Sequence, residues 1–566
     1  MTDPARSTAP PSAVQRLDEL FKPWNGASAP GLVVAVAHRG RVIYRRGFGL
    51  ASIEHAVVNT PATRMRIGST SKQFAALAAM LLAEEGRLDP EAPILRYLPE
   101  LKNAAGEPTL RQLMLHTGGV RDPMVAELLR HRGLLPVLPA GHILAMSQRF
   151  RDGNFPPGER MNYSNNGYHL LSLAIERASG KSLGEVLTGH ILRPLGMHHT
   201  ELLPSDMRIV PGLASFHVPL PDGSYRRGIY PTEELLGAGG MISTVDDMLT
   251  WMAHLRSPEK KVGSAATWTQ MLQRPRYSSG AEGSYCLGLL RTPYRGVETV
   301  QHSGATLGAA CQMLTVPEQA LDIIIMTNRS DVPAAALANK IIDIVLEGEG
   351  LEPPKRPVPA QEHEALLGRW YSPRSHTLLE FIRHRLEPQS PDVLAVKTHN
   401  ELSGFLFEVD GVLRKAGYSV ETLDIRKAFA NPVASSELEC SLDGNIESFA
   451  RMTGEPPSAE RIAGYAAGRY RLPDFGIEME LSLKEGRLRL DVLSPYEANH
   501  LELEPFSTEV LGSRSTQSVV AQPLPNATVV LERGSDGAVS GLWLNGNRER
   551  NIWFERCDAG GLQAAW

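Results

Sequence analysis

Residues Arg66 to Leu82 read Arg-Ile-Gly-Ser-Thr-Ser-Lys-Gln-Phe-Ala-Ala-Leu-Ala-Ala-Met-Leu-Leu. From Lys72 onward every residue favours or tolerates a helix, and the run is apolar nearly all round, the pattern of a helix buried inside a large domain. Gly68 and Ser69 stand at its start, where the first backbone N–H groups have no partner within the helix. Ser69 and Lys72 are three apart and share one helical face. By itself Ser-x-x-Lys also fits an N-cap serine beside a solvated lysine. Here Lys72 leads straight into the apolar run, which favours burial. A buried lysine one turn from a hydroxyl activates it in one of two ways. A neutral amine accepts the serine proton, or a retained ammonium favours the alkoxide electrostatically.

A chain of 566 residues exceeds one hydrophobic core, so two to four domains are expected. Hydrophobic residues make up 42% and charged residues 21%, ordinary for a globular protein, and the formal net charge of −5 comes without long Lys/Arg runs. Nothing in that balance recommends a polyanion-binding surface, so no nucleic-acid partner is expected. The four cysteines are far apart and form no Cys-x-x-Cys, which points to buried thiols. His198-His199 and His363 lack partners at ligand spacing; they are read as surface residues, and no metal or cofactor is expected. The opening residues hold no signal-peptide core and no apolar run approaches the ~20 residues of a membrane span. No membrane association and a cytoplasmic location are therefore expected.

Working outward, residues 12–24 form an amphipathic helix with Val14, Leu17, Leu20 and Phe21 at helical spacing. Gly31–Ala37 and Val42–Gly49 form a hairpin about His38-Arg-Gly-Arg. Further along, Phe155-Pro-Pro-Gly-Glu-Arg-Met-Asn-Tyr-Ser-Asn-Asn-Gly is forced into a loop by its prolines and glycine, with a helix starting near Asn166. Tyr163 and Asn165 sit two apart at its end, able to project toward one cleft; a turn tyrosine and an N-cap asparagine are the plain alternative. Leu236-Gly-Ala-Gly-Gly leads into a helix capped by Ser243 or Thr244. Lacking a phosphate-binding fingerprint, its glycines serve close backbone packing. Val300-Gln-His-Ser-Gly-Ala-Thr-Leu-Gly-Ala-Ala-Cys reads as two strands joined at a glycine turn, followed by a buried strand, Leu321–Asn328, and a helix over 333–346.

Together, Ser69-Thr-Ser-Lys72, Tyr163-Ser-Asn165 and His302-Ser-Gly304 occur in the order and at about the intervals of the penicillin-recognising serine hydrolases. The chain resembles that family, which includes class C β-lactamases, D-alanyl-D-alanine carboxypeptidases and related esterases. Leu115-His-Thr-Gly-Gly, Pro194-Leu-Gly-Met and Tyr285-Cys-Leu-Gly-Leu match its hallmarks too. The resemblance implies an α/β (α+β) β-lactamase-like catalytic domain over 12–348, an antiparallel sheet flanked by helices.

Beyond a proline-rich linker, 347–359, the sequence turns to short alternating strands. Gly368-Arg-Trp-Tyr-Ser-Pro is echoed by Gly468-Arg-Tyr-Arg-Leu-Pro, and Asp443-Gly by Asp536-Gly, with Gly454-Glu-Pro-Pro-Ser between the repeats. Two antiparallel barrels, 362–453 and 461–566, are the expected reading, because closure removes exposed edges. One catalytic domain followed by two lipocalin-like barrels resembles the bacterial D-aminopeptidase branch of the family.

What the resemblance implies is acyl transfer through a serine ester. Ser69 attacks a carbonyl, while Lys72 and Tyr163 share its proton and return one to the leaving amine. The oxyanion lies between the backbone N–H groups of Ser69 and Ala305, with Ser303 and Gly304 beside it on the strand. Asn165 holds the substrate amide or orients Lys72, and His302 hydrogen-bonds toward Tyr163 or the substrate. The family usually places a lysine where His302 stands. A largely neutral histidine attracts a carboxylate less, which leans away from a penicillinase toward aminopeptidase, amidase or esterase work. A D-aminopeptidase acting on peptides, amides or esters is the leading expectation. An esterase or a β-lactamase/carboxypeptidase-like hydrolase is the alternative. In the D-aminopeptidases a loop of the last barrel supplies an aspartate for the substrate ammonium. The corresponding stretch, 512–526, contains no acid and brings Arg514 instead. The expected partners are a small peptide, amide or ester substrate and, at most, a second copy in a homodimer.

Overall fold

In a computed structural model the protein is described over residues 12–101, 106–124, 126–127, 140–229, 236–416, 422–426, 436–493, 499–514, 526–546 and 548–557. It packs as two units. The first takes in residues up to Pro90, Leu171–Arg274 and Ser284–Pro354; the second takes in Glu91–Leu170, Pro275–Gly283 and the chain from Lys355 onward.

The first unit is built on a six-stranded antiparallel sheet. Its strands are β1 (Leu32–His38), β2 (Arg41–Phe48), β3 (Leu290–Tyr294), β4 (Val297–Thr306), β5 (Ala309–Val316) and β6 (Leu321–Thr327), in the spatial order β3-β4-β5-β6-β1-β2. The expected hairpin is β1–β2, turning at Arg39 and Gly40, and the expected glycine turn joins β4 to β5 at Gly308, where φ is +82°. Leu32, Val34 and Val36 of β1 join Ile323 and Ile325 of β6 in a core closed by Leu17 and Phe21 of helix α1 (Ala13–Phe21) and by Leu337, Ile341 and Ile342 of a C-terminal helix, Ala334–Val345. Val33 and Ala35 are equally buried, so β1 is covered on both faces and reads as a continuous apolar run. The Lys72–Glu84 helix, α2, buries every residue from Lys72 to Leu82. Truncating one of its leucines costs about 2–5 kcal/mol. The helix Val245–Arg256, α3, is capped by Thr244, whose hydroxyl accepts the Asp247 amide.

In the second unit, two closed eight-stranded antiparallel barrels follow one another, the first from Gly368–Ser372 to Asn445–Arg451 and the second from Gly468–Leu472 to Ile552–Cys557. Period-two patterning fills each interior, as with Leu379, Phe381, Leu394 and Val396 in the first and Met479, Leu481, Leu488 and Leu490 in the second. The Gly-Arg-aromatic echo has a structural meaning. Trp370 Nε1 donates to the Leu366 carbonyl at 2.8 Å, and Tyr470 Oη donates to the Ala466 carbonyl at 2.5 Å. Each buried aromatic thus satisfies its polar tip on the carbonyl four residues back, just before the barrel begins.

Some expectations need correction. His363 is buried, 8% exposed, while His198 and His199 are exposed as read. The stretch 512–526 is not all loop: Gly512, Ser513 and Arg514 finish the strand Val510–Arg514, paired against Glu502, Leu503 and Glu504. Residues 515–525 lie outside the described residues, and so does the expectation placed on them. No disulfide joins the four cysteines, three of which (Cys286, Cys311 and Cys440) are buried. Among the described residues no helix is long and apolar enough to cross a membrane, and no group of three or more His, Cys, Asp or Glu is placed to hold a metal ion.

Candidate active site

The chain enters α2 through a 3₁₀ turn, Gly68–Ser71, so the first orphan amides are drawn into a tight bend. Gly68 has φ +51°, and Ser69 is half-exposed between buried Gly68 and Thr70. Lys72 is wholly buried; its Nζ donates to Ser69 Oγ at 3.2 Å and to the Ala238 carbonyl at 2.6 Å. The glycine-rich segment before β-strand Met241–Ser243 explains the second contact. A Cβ on Gly237 would stand 2.6 Å from Ser172 Oγ and 2.7 Å from Ala75 Cβ, so only glycine lets this segment lie on α2 and bring the Ala238 carbonyl to the lysine.

Two more glycines join α2 to the sheet. A Cβ on Gly304 would stand 1.9 Å from the Ile67 carbonyl oxygen and 3.0 Å from Ser69 N; one on Gly68 would stand 2.7 Å from Ala305 N. Backbone therefore meets backbone where β4 crosses the helix entrance, with Ser69 N beside Gly304 and Ala305 N beside Gly68. Side chains fasten the crossing. Thr70 Oγ1 donates to the His302 carbonyl at 3.2 Å, and Ser71 Oγ donates to the Gly68 carbonyl at 2.6 Å while accepting the Met241 amide. Below them Gln73 accepts from Trp251 Nε1 at 2.6 Å. Along β4 the pleat alternates: His302 and Gly304 are buried, Ser303 and Ala305 exposed.

The imidazole of His302 has a neighbour at each ring nitrogen. Nδ1 lies 2.5 Å from the Ser303 carbonyl and Nε2 lies 2.9 Å from the Tyr285 hydroxyl. A carbonyl only accepts, so Nδ1 carries the proton and Nε2 accepts from Tyr285. Burial, and secondly the Lys72 charge, push the histidine down to about 3. It is therefore neutral at pH 7, as expected, and it joins Tyr285 to β4. Tyr285 belongs to the Tyr285-Cys-Leu-Gly-Leu motif, yet its contact is across 17 positions of sequence and no local pattern announces it.

Tyr163 and Asn165 belong to the second unit. Asn165 opens the helix Asn165–Ser179 and is half-buried; Tyr163 is 8% exposed. Their loop is tied to residues 115–119. The Asn162 amide donates to the His116 carbonyl at 2.9 Å, and the Ser164 amide donates to His116 Nδ1 at 3.1 Å. With Nδ1 accepting, the His116 proton is on Nε2. Its ring packs on Tyr163 with centroids 4.2 Å apart. His116 holds φ +57°, uncommon for a non-glycine residue and a mark of a position held by its surroundings.

Barrel turns complete the loop's support. The Met161 amide donates to the Asp443 carbonyl, Asn445 Nδ2 donates to Glu159 at 2.9 Å, and Asn162 Nδ2 donates to the Arg548 carbonyl at 2.8 Å. Arg550, 3% exposed, reaches Asp443 at 3.2 Å and Thr377 at 3.1 Å, and its amide donates to Asn154. The Arg548 guanidinium lies 5.2 Å from the centroid of the Tyr163 ring. Nothing in the sequence flags Arg548 and Arg550, since their partners on this side are Asn162 and Asn154, more than 380 positions away, and Asp443 and Thr377, more than 100 positions away. Arg514, the expected barrel residue, ends its strand opposite Glu502.

The beta-lactamase family profile matches residues 17–347. A D-aminopeptidase of Cereibacter sphaeroides is 26% identical over 552 residues, covering 96% of this chain and 98% of that protein. One of Brucella canis is 27% identical over 355 residues, 62% of this chain and 65% of that protein. Among solved structures, the octameric penicillin-binding protein homologue from Pyrococcus abyssi superposes with a TM-score of 0.54 at 20% identity, over 96% of this chain and 99% of that one. That likeness spans sheet and barrels alike and so bears on the fold. With the motif-bearing part of the chain matched from end to end, this protein belongs to the beta-lactamase family.

Proposed function

We propose that this enzyme is a D-aminopeptidase-like serine hydrolase that releases an N-terminal D-amino acid from peptides, amides or esters by way of an acyl-serine. The observation that carries the reading is the buried Lys72 Nζ at 3.2 Å from a half-exposed Ser69 Oγ, at a helix entrance crossed by β4. The relatives named D-aminopeptidase, similar over nearly the whole chain including both barrels, support the substrate class. Ser69 is the nucleophile and Lys72 takes its proton. The amides of Ser69 and Ala305 stabilise the oxyanion, each such donor being worth about 3 kcal/mol in comparable sites. Tyr163 returns a proton to the leaving amine, and Asn165 and Ser303 hold the substrate amide. Neutral His302 offers no permanent charge to a carboxylate on β4, which supports an aminopeptidase over a penicillinase.

The test is a panel of chromogenic substrates with active-site labelling. D-alanine p-nitroanilide should be hydrolysed and its L-enantiomer spared, and a fluorophosphonate should label the native enzyme but not Ser69→Ala. Turnover of a cephalosporin or a simple ester with none of the D-anilide would replace this reading with the β-lactamase or esterase alternative.

A further inference from the structure

The last turn of the second barrel delivers a cation to Tyr163. Its backbone is pinned by hydrogen bonds: Asn162 Nδ2 donates to the Arg548 carbonyl, and, in buried positions, Arg121 donates to the Arg550 carbonyl at 2.7 Å and the Arg550 amide donates to Asn154. Between these anchors the Arg548 side chain is exposed, with its guanidinium carbon 5.2 Å from the Tyr163 ring centroid. The neighbouring acid does not neutralise it. Glu549 is buried and turned inward, accepting the Asp122 amide at 2.7 Å and standing 3.8 Å from Arg121. Among the described residues no carboxylate is paired with Arg548. A pinned backbone, an exposed guanidinium and an unneutralised charge are what a ligand-facing arginine requires. A structural arginine would be buried and paired, as Arg550 is.

We infer that Arg548 is a specificity-determining residue that receives a carboxylate on the leaving-group side of the substrate. The step rests on the reading above, in which Tyr163 protonates the leaving amine, so a cation against its ring is on the side of that amine. The favoured substrates are then D-aminoacyl peptides whose leaving residue carries a free C-terminal carboxylate, in preference to neutral amides. A planar guanidinium matches a carboxylate through two parallel N–H···O bonds, which a carboxamide does not reproduce.

The experiment compares D-alanyl-glycine with D-alanyl-glycinamide, which differ only in that carboxylate. The full-length enzyme should favour the acid in kcat/KM. Arg548→Gln should lower kcat/KM for the acid roughly tenfold, mostly through KM, and leave the amide within about twofold; roughly tenfold is the lower end for a hydrogen bond to a charged group. Arg548→Lys should keep part of the preference. The exposed position leaves the melting temperature unchanged in both variants. Equal turnover of acid and amide by the native enzyme overturns the inference. So does Arg548→Gln slowing both by one factor, which would mean that Arg548 acts through Tyr163 and not on the substrate. Should neither compound be hydrolysed, the aminopeptidase reading fails separately. The same variants on glycolate and glycolamide esters then decide the carboxylate preference by the same criterion.

Discussion

Replacing Gly304 by alanine adds one methyl group where β4 crosses the start of α2. That carbon would lie 1.9 Å from the Ile67 carbonyl oxygen, 2.9 Å from its carbon and 3.0 Å from Ser69 N. All three are backbone atoms, so no side chain can swing aside. Ordinary contacts lie at about 3.5 Å or more, and even a tight fit asks the strand to retreat by roughly 1 Å. The strand carries Ala305 N, which we assign to the oxyanion hole. A misplacement of about 1 Å costs on the order of 10²-fold, and loss of one oxyanion donor costs about 10²–10³-fold. Overpacking is expected to destabilise the fold by about 1–3 kcal/mol, too little to unfold it. The assay is kcat/KM on the best D-anilide beside thermal melting, with Gly184→Ala as control, because a Cβ there meets Leu202 at an ordinary 3.8 Å. Gly304→Ala should fall at least a hundredfold with the melting transition still cooperative, and Gly184→Ala should stay near native. A Gly304→Ala enzyme keeping more than a tenth of native activity would refute the assignment of Ala305 N to the oxyanion and the crossing as its cause.

Other consequences follow from the same geometry. Tyr163→Phe should cost roughly 10²–10⁴ in rate if it moves the leaving-group proton; native kcat in that variant would remove it from the mechanism. Tyr285→Phe takes the donor from His302 Nε2 in a buried site and should cost about 1–3 kcal/mol of stability, read as a lower denaturant midpoint; an unchanged midpoint would mean that the hydrogen bond contributes nothing. Burial holds His302 and His399 near 3, below the ordinary 6.5, so the unfolded chain binds protons that the native one excludes. Stability is therefore full above pH 6.5 and declines from there toward pH 3, by about 1.4 kcal/mol per pH unit for each histidine. Denaturant melts between pH 7 and 4.5 check it, and His302→Gln should flatten the slope; a pH-independent midpoint would contradict the burial of both rings.

What the sequence discloses and what it conceals divide along one physical line. Local chemistry is legible. Lys72 precedes an all-apolar run, so its burial and its contact with a hydroxyl three residues back follow from helical geometry, and they are observed. The glycines of 237–240, without a phosphate fingerprint, read as packing glycines, and Gly237 lies where any Cβ would strike Ala75. The barrels follow from alternation and from the repeated Gly-Arg-aromatic start. Partnerships set by tertiary placement are not legible. His302 carries no local signal for whether it faces Tyr163, a substrate or Tyr285, because a strand fixes only which face a residue takes. His363 looked solvent-exposed because ligand spacing says nothing about burial.

The same line explains why the second barrel's contact with the tyrosine loop is hidden in the sequence. Resemblance points to 512–526, of which Gly512, Ser513 and Arg514 are strand and 515–525 lie outside the described residues. Length is a guide only when a loop has to reach. A short turn needs no reach when the strands before and after it set its position, and Arg548–Asn551 lie between two barrel strands, Val539–Asn545 and Ile552–Cys557. Such a turn also costs less conformational entropy to order than a fifteen-residue excursion. Its fixed backbone explains how it holds Asn162 and Asn154 of the tyrosine loop through direct hydrogen bonds. The second barrel thus acts on the tyrosine loop as a rigid brace. Lengthening the turn by two glycines after Gly546 should weaken catalysis by loosening Tyr163 while the barrel's own melting transition stays intact. Undiminished kcat in that variant, with the barrel still folded, would mean that the loop holds Tyr163 through His116 alone.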